Sequence, residues 1–186
     1  MPDNLDERFG PVLSPKATSY RPNGWDDWET ESPDTLVRLQ DGQNEDLRCL
    51  TELSLRPGAA LYATMRQVAL LWVVAQNGDL FYALEESAWP PSSPDNRPVV
   101  PLLRNPIGVK SRLKLGHPSL VACRPARIGG EIIYEPSSKN PAGWEINNNS
   151  GRYGRDCGRS PQHLENASAE FGKYGILNLF PEFYGD

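Results

Sequence analysis

The chain has 186 residues, the size of one ordinary domain with its own core, and its 38% hydrophobic and 23% charged residues exclude a disordered or fibrous protein. Its net charge is −5, and its 18 prolines and 16 glycines indicate many loops. No apolar run approaches the roughly 20 residues that span a bilayer, and the N-terminus lacks a signal-peptide pattern, so we expect a cytoplasmic protein or one secreted without a cleaved signal.

The first predicted element is an irregular, acidic arm over residues 1–44. This segment carries five prolines and shows no clear periodicity. Three large aromatic side chains, Tyr20, Trp25 and Trp28, normally need a surface to pack against. We therefore expect the arm to dock on the rest of the chain or on a partner, and residues 45–186 to form a single α+β domain.

The middle of the chain predicts a helix followed by a β-hairpin. Leucines at helical spacing favour a helix from Glu45 to about Arg66, interrupted near residues 56–58 by Arg-Pro-Gly. The β-branched run at 67–75 and the apolar run at 80–84 flank the turn Asn77-Gly78-Asp79, which is typical of a hairpin. Four prolines predict a loop over 89–98, and a short strand follows at 99–103.

The C-terminal part predicts three consecutive strands and a helix. The strands are expected at 119–123, 127–134 and 144–147, paired antiparallel. Ser160 and Pro161 form the start of a helix that Gly175 ends, after which the apolar tail 176–180 packs back on the sheet. The expected fold is α+β, with a mainly antiparallel sheet, an irregular N-terminal arm and a C-terminal helix packed on the sheet.

The charge is unevenly distributed along this chain. Residues 1–52 hold twelve acids against five bases, whereas residues 96–130 hold seven bases and no acid. Either the acidic segment covers the basic part of the fold and neutralises it, or the basic stretch receives an anion such as a phosphate, a nucleotide or an acidic partner.

Metal and cofactor chemistry find little support in the residues. Cys49, Cys123 and Cys157 are far apart and form no CxxC pair, and His117 and His163 are the only histidines. We therefore predict reduced thiols and no metal site. The sequence names no cofactor, and it contains no GxGxxG, P-loop, GxSxG or HExxH motif.

The candidate catalytic residues are His117, Ser119 and Glu131. On a regular strand, His117 and Ser119 would point to the same face and place a hydroxyl beside an imidazole, with Glu131 as the nearest acid in sequence. The alternatives are a structural histidine and an ion pair between Glu131 and Arg127 or Arg124. Gly129-Gly130, within a strand pattern, predicts a bulge or close backbone packing rather than a phosphate cradle.

The candidate ligand-binding residues surround a polar run at residues 147–153. Its amides and hydroxyl offer many hydrogen-bonding groups just before a helix N-terminus, which favours an anion, although the same run could form only a tight loop. The predicted ligand-binding side chains are those of Arg124, Arg127, Asn149, Ser150, Arg152 and Tyr153.

Four short motifs carry a resemblance over about residues 67–178. They are His117-x-Ser119-Leu120, Gly129-Gly130-Glu131-Ile132, Trp144-x-Ile146-Asn147-Asn148 and Ser150-Gly151-Arg152-Tyr153. Together they resemble the C-terminal module of plant IQ-motif calmodulin-binding proteins of the IQM type and of bacterial proteins that include effectors and polymorphic toxins. The resemblance implies an effector setting but no reaction. Pro118 stands where the module has Ser, and Arg152 stands where it has a second His, which implies a binding role or an altered activity at that position.

Two functions remain open from the sequence. The first is a bacterial effector or toxin-like protein, which could be an enzyme acting on an anionic ligand that bears a phosphate or a nucleotide. The second is a non-enzymatic immunity or adaptor protein that binds a partner through its acidic arm with Trp25 and Trp28. We expect a protein partner, and an anionic small molecule under the first function. The sequence predicts no membrane span, disfavours nucleic acid as a partner, and shows no IQ motif for calmodulin.

Overall fold

The fold is seen in a computed structural model, which describes residues 4–40, 42–53, 64–88, 102, 104, 113–137, 139–155 and 157–185. Over these residues the helices are α1 (Leu5–Phe9), α2 (Glu45–Leu53) and α3 (Pro161–Lys173), and 3₁₀ helices lie at Asp27–Thr30 and His117–Val121. The strands are β1 (Val37–Arg38), β2 (Ala69–Ala75), β3 (Leu80–Leu84), β4 (Glu86–Ser87), β5 (Lys114–Leu115), β6 (Ala126–Tyr134), β7 (Trp144–Asn147) and β8 (Phe180–Glu182).

Six strands form one mixed sheet in the order β1-β3-β2-β6-β7-β8. Every pair is antiparallel except β7 and β8, which are parallel because the chain returns through α3. Strands β4 and β5 form a separate antiparallel pair. The predicted α+β class, with a mostly antiparallel sheet and a C-terminal helix, is confirmed.

The centre of the sheet is apolar on both faces. In β2, Trp72 joins the cluster that packs against α3, with its ring 6.4 Å from that of Phe171, whereas Val73 joins a cluster with Leu120 on the other face. This alternation follows from the two-residue period of a strand. Helix α3 therefore covers one face, and the segment that begins at His117 covers the other.

The hairpin and the C-terminal helix form as predicted. Strands β2 and β3 pair around Asn77-Gly78-Asp79, and Gly78 has a φ of 90°, which glycine adopts without steric cost. Helix α3 begins at Pro161 with Ser160 as N-cap, whose backbone N–H donates to Nδ1 of His163 at 3.2 Å. The predicted strands at 127–134 and 144–147 are confirmed as β6 and β7.

The predicted strand at 119–123 is wrong, and so is the run of three consecutive strands. Residues His117–Val121 form a 3₁₀ helix, with Pro118 in its first turn, where a proline's missing N–H is harmless. Ala122 and Cys123 follow with φ of 50° and 57°, which turns the chain sharply before β6. His117 and Ser119 therefore do not share a strand face.

The described part of the predicted arm lies against the rest of the chain. Strand β1 pairs with β3, α1 packs on α3, and the carboxylate of Glu86 accepts hydrogen bonds from the backbone of Asp34 and Thr35. The acidic segment also meets basic side chains of the body, with Asp6 2.5 Å from Arg127. One of the two predicted roles for the uneven charge, neutralisation within the chain, is therefore present at this contact.

The predicted helix break at 56–58 and the loop at 89–98 lie outside the described residues, as does most of the predicted strand at 99–103. Over the residues that are described, no helix combines the length and the apolar character needed to cross a membrane.

Candidate functional site

A cavity of about 540 Å³ opens on the face of the sheet opposite α3. Its wall comes from the 3₁₀ helix Asp27–Thr30, strand β5, the start of the second 3₁₀ helix, β6 and the loop after β7. We call it the polar cavity. The side chains that give it its chemistry are those of Arg21, Asp26, Trp28, Glu29, Glu85, Lys114, His117, Glu131, Asn149 and Arg152.

His117 is held in one orientation on the wall of the polar cavity. Its Nε2 lies 2.9 Å from the backbone carbonyl of Gly130, which can only accept, so Nε2 carries the proton and donates it. Burial, with smaller contributions from the nearby charges of Lys114 and Arg152, lowers the pKa of His117 to about 4, although the hydrogen bond to Gly130 raises it. The ring is therefore neutral at pH 7, with Nδ1 as its acceptor.

Glu131 extends from β6 into the same cavity. It pairs across the sheet with Leu71, so its side chain lies on the face that the His117 segment covers. Burial raises the pKa of its carboxyl, and a hydrogen bond with the side chain of Asn149 partly opposes that shift. Glu131 is thus a carboxyl group that holds its proton to a higher pH than an exposed glutamate does.

Glu29 is a second carboxyl in the polar cavity, and sequence reasoning missed it. Its side chain is only 5% exposed, and its Oε2 accepts a hydrogen bond from the backbone N–H of Asp26 at 2.8 Å. Burial raises its pKa more than this bond and the charge of Arg152 lower it. A Cβ at Gly116 would lie 2.3 Å from Oε1 of Glu29, so a residue with a side chain at 116 would collide with the carboxyl.

The sequence did contain a local signal for Glu29. Asp26-x-x-Glu29 is the spacing of a capping box, in which the fourth side chain returns to the backbone of the first residue. This pattern predicts a helical turn with a fixed glutamate. It does not predict that the turn lies against residues 116 and 152, because that contact depends on tertiary packing.

Arg152 is the least satisfied cation of the polar cavity. Its Nη2 lies 3.9 Å from Oε2 of Glu29, beyond hydrogen-bond distance, and its buried Nε has no partner among the described residues. The other two cations have close acidic partners: Arg21 lies 2.5 Å from Asp26, and Lys114 lies 2.6 Å from Glu85. A ligand anion would therefore meet its free donors at Arg152.

Three predicted site residues support the loops instead of facing the polar cavity. Ser119, Ser150 and Tyr153 are fully buried. Oγ of Ser119 donates to the Gly116 carbonyl at 2.6 Å, Oγ of Ser150 accepts from the backbone N–H of Tyr153 at 3.2 Å, and the Tyr153 hydroxyl donates to the Arg124 carbonyl at 2.9 Å. These bonds fix the segment that carries His117 and the loop that carries Arg152.

Arg124 and Arg127 lie at a different cavity, of about 700 Å³. We call it the apolar cavity, and its lining includes Val12, Leu36, Phe81, Leu120, Val121, Pro125 and the two arginines. Arg127 donates to the carbonyls of Gln76 and Gly10 and pairs with Asp6. Of the predicted residues, His117, Glu131, Asn149 and Arg152 thus share one cavity, and Arg124 and Arg127 line another.

The two glycines of β6 serve close packing, as the sequence predicted. A Cβ on Gly130 would lie 1.7 Å from the carbonyl oxygen of Asn147, and one on Gly129 would lie 2.9 Å from that of Trp72. The loop after β7 can therefore lie directly on β6, which brings Asn149 and Arg152 to Glu131 and His117.

Comparisons with protein-family models, curated proteins and solved structures give no match for this chain. The resemblance to the IQM-type module stays a prediction. Among the described residues, no three histidine, cysteine or acidic side chains are grouped as ligands of a metal ion, and no disulfide joins the cysteines.

Proposed function

We propose that this protein is an enzyme that binds a phosphate-bearing ligand in the polar cavity and catalyses proton transfer in the hydrolysis of that ligand. One observation carries the proposal. A single cavity combines two carboxyl groups of raised pKa, a neutral and fixed imidazole, and an arginine with a buried Nε that lacks a partner among the described residues.

Arg152 is proposed to bind the phosphate. A guanidinium group presents donors in a planar fork that fits two phosphate oxygens, and a charge-assisted bond of this kind is stronger than a neutral one. The 3.9 Å separation from Glu29 leaves that fork unused by a close ion pair. Arg21 and Lys114 are each paired with an acid that also lines the cavity, so these pairs add little net charge and Arg152 is the cation proposed to meet the phosphate.

The two carboxyl groups are proposed to divide the proton transfers. Arg152 favours the ionised form of Glu29, so Glu29 is the base that takes a proton from the attacking water. Glu131 is the acid, and it gives its proton to the leaving oxygen as the bond from phosphorus to that oxygen breaks. The water oxygen forms the new bond to phosphorus. His117, neutral with Nδ1 as acceptor, is proposed to orient the ligand.

This proposal is tested with a phosphodiester whose hydrolysis is visible, bis(4-nitrophenyl) phosphate. We expect Glu29→Gln and Arg152→Gln each to reduce nitrophenolate release by about 100-fold, the usual effect of removing a positioned base or charge donor, because nitrophenolate leaves without needing a proton from an acid. The matched controls are Glu165→Gln and Arg155→Gln, which change exposed residues outside the cavity and should keep the wild-type rate. Equal rates in folded Glu29→Gln and in wild type would reject the base role of Glu29.

The effector or toxin-like setting implied by the resemblance has its own test. On expression in the cytosol of a bacterial host, wild type and Glu165→Gln should inhibit growth, and Glu131→Gln should not. If wild type does not inhibit growth, the toxin-like setting fails, while the hydrolysis assay still decides the enzymatic proposal.

The alternative function, an immunity or adaptor protein that binds through the acidic arm, has less support. The arm's contact groups are used within the chain: the Trp28 indole donates to the Lys114 carbonyl at 3.1 Å, and Glu29 lies in the polar cavity. Under this alternative, Asp27→Asn on the exposed side of the arm would weaken a partner complex, and Glu131→Gln would leave the complex intact.

A further inference from the structure

The apolar cavity lies apart from the proposed reaction site and has a built apolar floor. Leu120 and Val121 are buried at its base, and Leu36 and Phe81 are half-buried beside them. At about 700 Å³ it falls within the size range of small-molecule sites, about 300–1,000 Å³. Residues of β2, β3 and the arm also line the cavity, which is partly open to solvent.

Within the part of the chain that the structure describes, the charges around the apolar cavity leave one cation available. Asp79 is engaged by Arg38 at 2.6 Å and by Asn77 at 2.9 Å. Arg127 is buried and holds the Gln76 and Gly10 carbonyls. Arg124 is exposed, and its guanidinium has no ion pair among the described residues.

The position of Arg124 follows from the backbone before it. Ala122 and Cys123 both adopt left-handed φ values, which reverse the chain direction at the end of the 3₁₀ helix. The Tyr153 hydroxyl then fixes Arg124 through its carbonyl at 2.9 Å. The result is a cation held by its backbone at the rim of an apolar cavity.

We propose that the apolar cavity binds a small organic anion with an apolar body, of the class of medium-chain carboxylates. The chain would lie against Leu36, Phe81 and Leu120, and the carboxylate would meet Arg124 at the rim. A neutral apolar ligand would leave Arg124 unused. A free phosphate would meet Arg124 but would gain nothing from the apolar floor. The proposal is independent of the function assigned to the polar cavity.

The probe is sodium octanoate, kept below its micelle concentration, and binding is followed by calorimetry and by the methyl signals of Leu36, Leu120 and Val121. We expect octanoate to bind and to shift these signals, and 1-octanol and acetate to bind more weakly. Arg124→Gln should weaken octanoate binding about fivefold, as expected for one partly exposed charge pair. Its matched control is Arg155→Gln, which should not change the affinity.

A second variant tests the cavity without changing its charge or the buried core. Ser32 is exposed and lines the cavity, so Ser32→Trp should obstruct it and reduce octanoate binding roughly tenfold. Ser14→Trp, at an exposed position outside the lining, should bind like wild type. The proposal is overturned if octanoate does not bind, or if Ser32→Trp and Ser14→Trp bind octanoate with equal affinity. It is also overturned if octanol binds as tightly as octanoate.

Discussion

The two cavities differ sharply in chemistry although one short segment forms part of the wall of both. His117 and Pro118 line the polar cavity, whereas Leu120, Val121 and Arg124 line the apolar cavity. On the polar side, acids and bases lie close together and burial shifts their pKa values. On the apolar side, the available charge is at the rim. A 3₁₀ helix followed by a left-handed turn thus separates a cluster of titratable side chains from an apolar lining.

The largest expected change in stability comes from a substitution in the close packing between β6 and β7 behind the polar cavity. Gly130→Ala would place a Cβ 1.7 Å from the Asn147 carbonyl oxygen. The backbone can relieve this clash only if β6 moves away from the end of β7 and the loop that follows it. We expect a loss of about 3 kcal/mol or more in unfolding free energy, at the high end for overpacking. Urea denaturation measures it.

Gly151→Ala is the control for this substitution. Gly151 lies in the loop after β7, and a Cβ at this position would meet nothing within 4 Å. Its unfolding free energy should stay close to that of wild type. A similar loss in both variants would mean that any side chain in this region is harmful, and not specifically the contact of Gly130.

The second prediction concerns the pH dependence that His117 gives to the polar side. Its folded pKa of about 4 lies below the unfolded value near 6.5, so the unfolded chain takes up the proton first as the pH falls. His117 therefore contributes stability above pH 6.5 that is lost between pH 6.5 and 4, by about 3 kcal/mol in total. Urea midpoints at several pH values measure this loss.

His117→Gln separates this effect from other groups. The variant should have a lower unfolding free energy than wild type at pH 7 because it loses the hydrogen bond from the imidazole to the Gly130 carbonyl. The difference in unfolding free energy should shrink toward pH 4, because only wild type loses stability by protonation of His117 in the unfolded chain. A constant difference between the two proteins over this pH range would show that His117 does not cause the acid sensitivity.

Several elements around the two cavities can be predicted from local sequence signals. The hairpin, β6, β7 and α3 follow from apolar and β-branched runs, from Asn77-Gly78-Asp79 and from Ser160-Pro161, which are local signals. The strand prediction for Ser119 to Cys123 is wrong because apolar residues suit both a strand and a buried 3₁₀ helix. Pro118, in the first turn, favours the 3₁₀ helix.

The site was predicted in part for a similar reason. His117, Glu131, Asn149 and Arg152 stood out because of their types and their order along the chain. Glu29 did not, since its place beside Arg152 is created by the arm, which packs across more than a hundred residues of sequence. Arg127 likewise lies away from the site because it donates to the backbone carbonyls of Gln76 and Gly10, which are distant in sequence.

A third, smaller effect tests the wall of the apolar cavity. The side chain of Arg127 is 8% exposed, and Arg127→Gln would leave the Gln76 and Gly10 carbonyls without their donors, at a cost of about 2 kcal/mol. Asp6, at 64% side-chain exposure, contributes less, and Asp6→Asn should cost below about 1 kcal/mol. Thermal unfolding of both variants checks the order. Equal losses would indicate that the ion pair, and not the carbonyl bonds, fixes Arg127.

The smallest expected effect is a gain in stability on the polar side. Because burial raises the pKa of Glu29 and Glu131, their ionised forms are disfavoured in the folded protein. Glu29→Gln and Glu131→Gln should therefore raise the thermal midpoint at pH 8 relative to wild type, and this gain should vanish near pH 4, where wild type is protonated. Glu165→Gln, an exposed control, should change the midpoint at neither pH. A lower thermal midpoint of these variants at pH 8 would mean that the ionised carboxylates stabilise the folded protein instead of being disfavoured by burial.

The most direct test of the separation between the two cavities is a titration of one isotope-labelled sample with pyrophosphate and then with octanoate, followed by NMR. We predict that pyrophosphate shifts the backbone signals of Asn149, Gly151 and Arg152, and that octanoate then shifts those of Leu36, Leu120 and Val121 without displacing pyrophosphate. Pyrophosphate shifts centred on Arg124, or mutual displacement of the two probes, would contradict the division of the molecule into a polar reaction site and an apolar binding site.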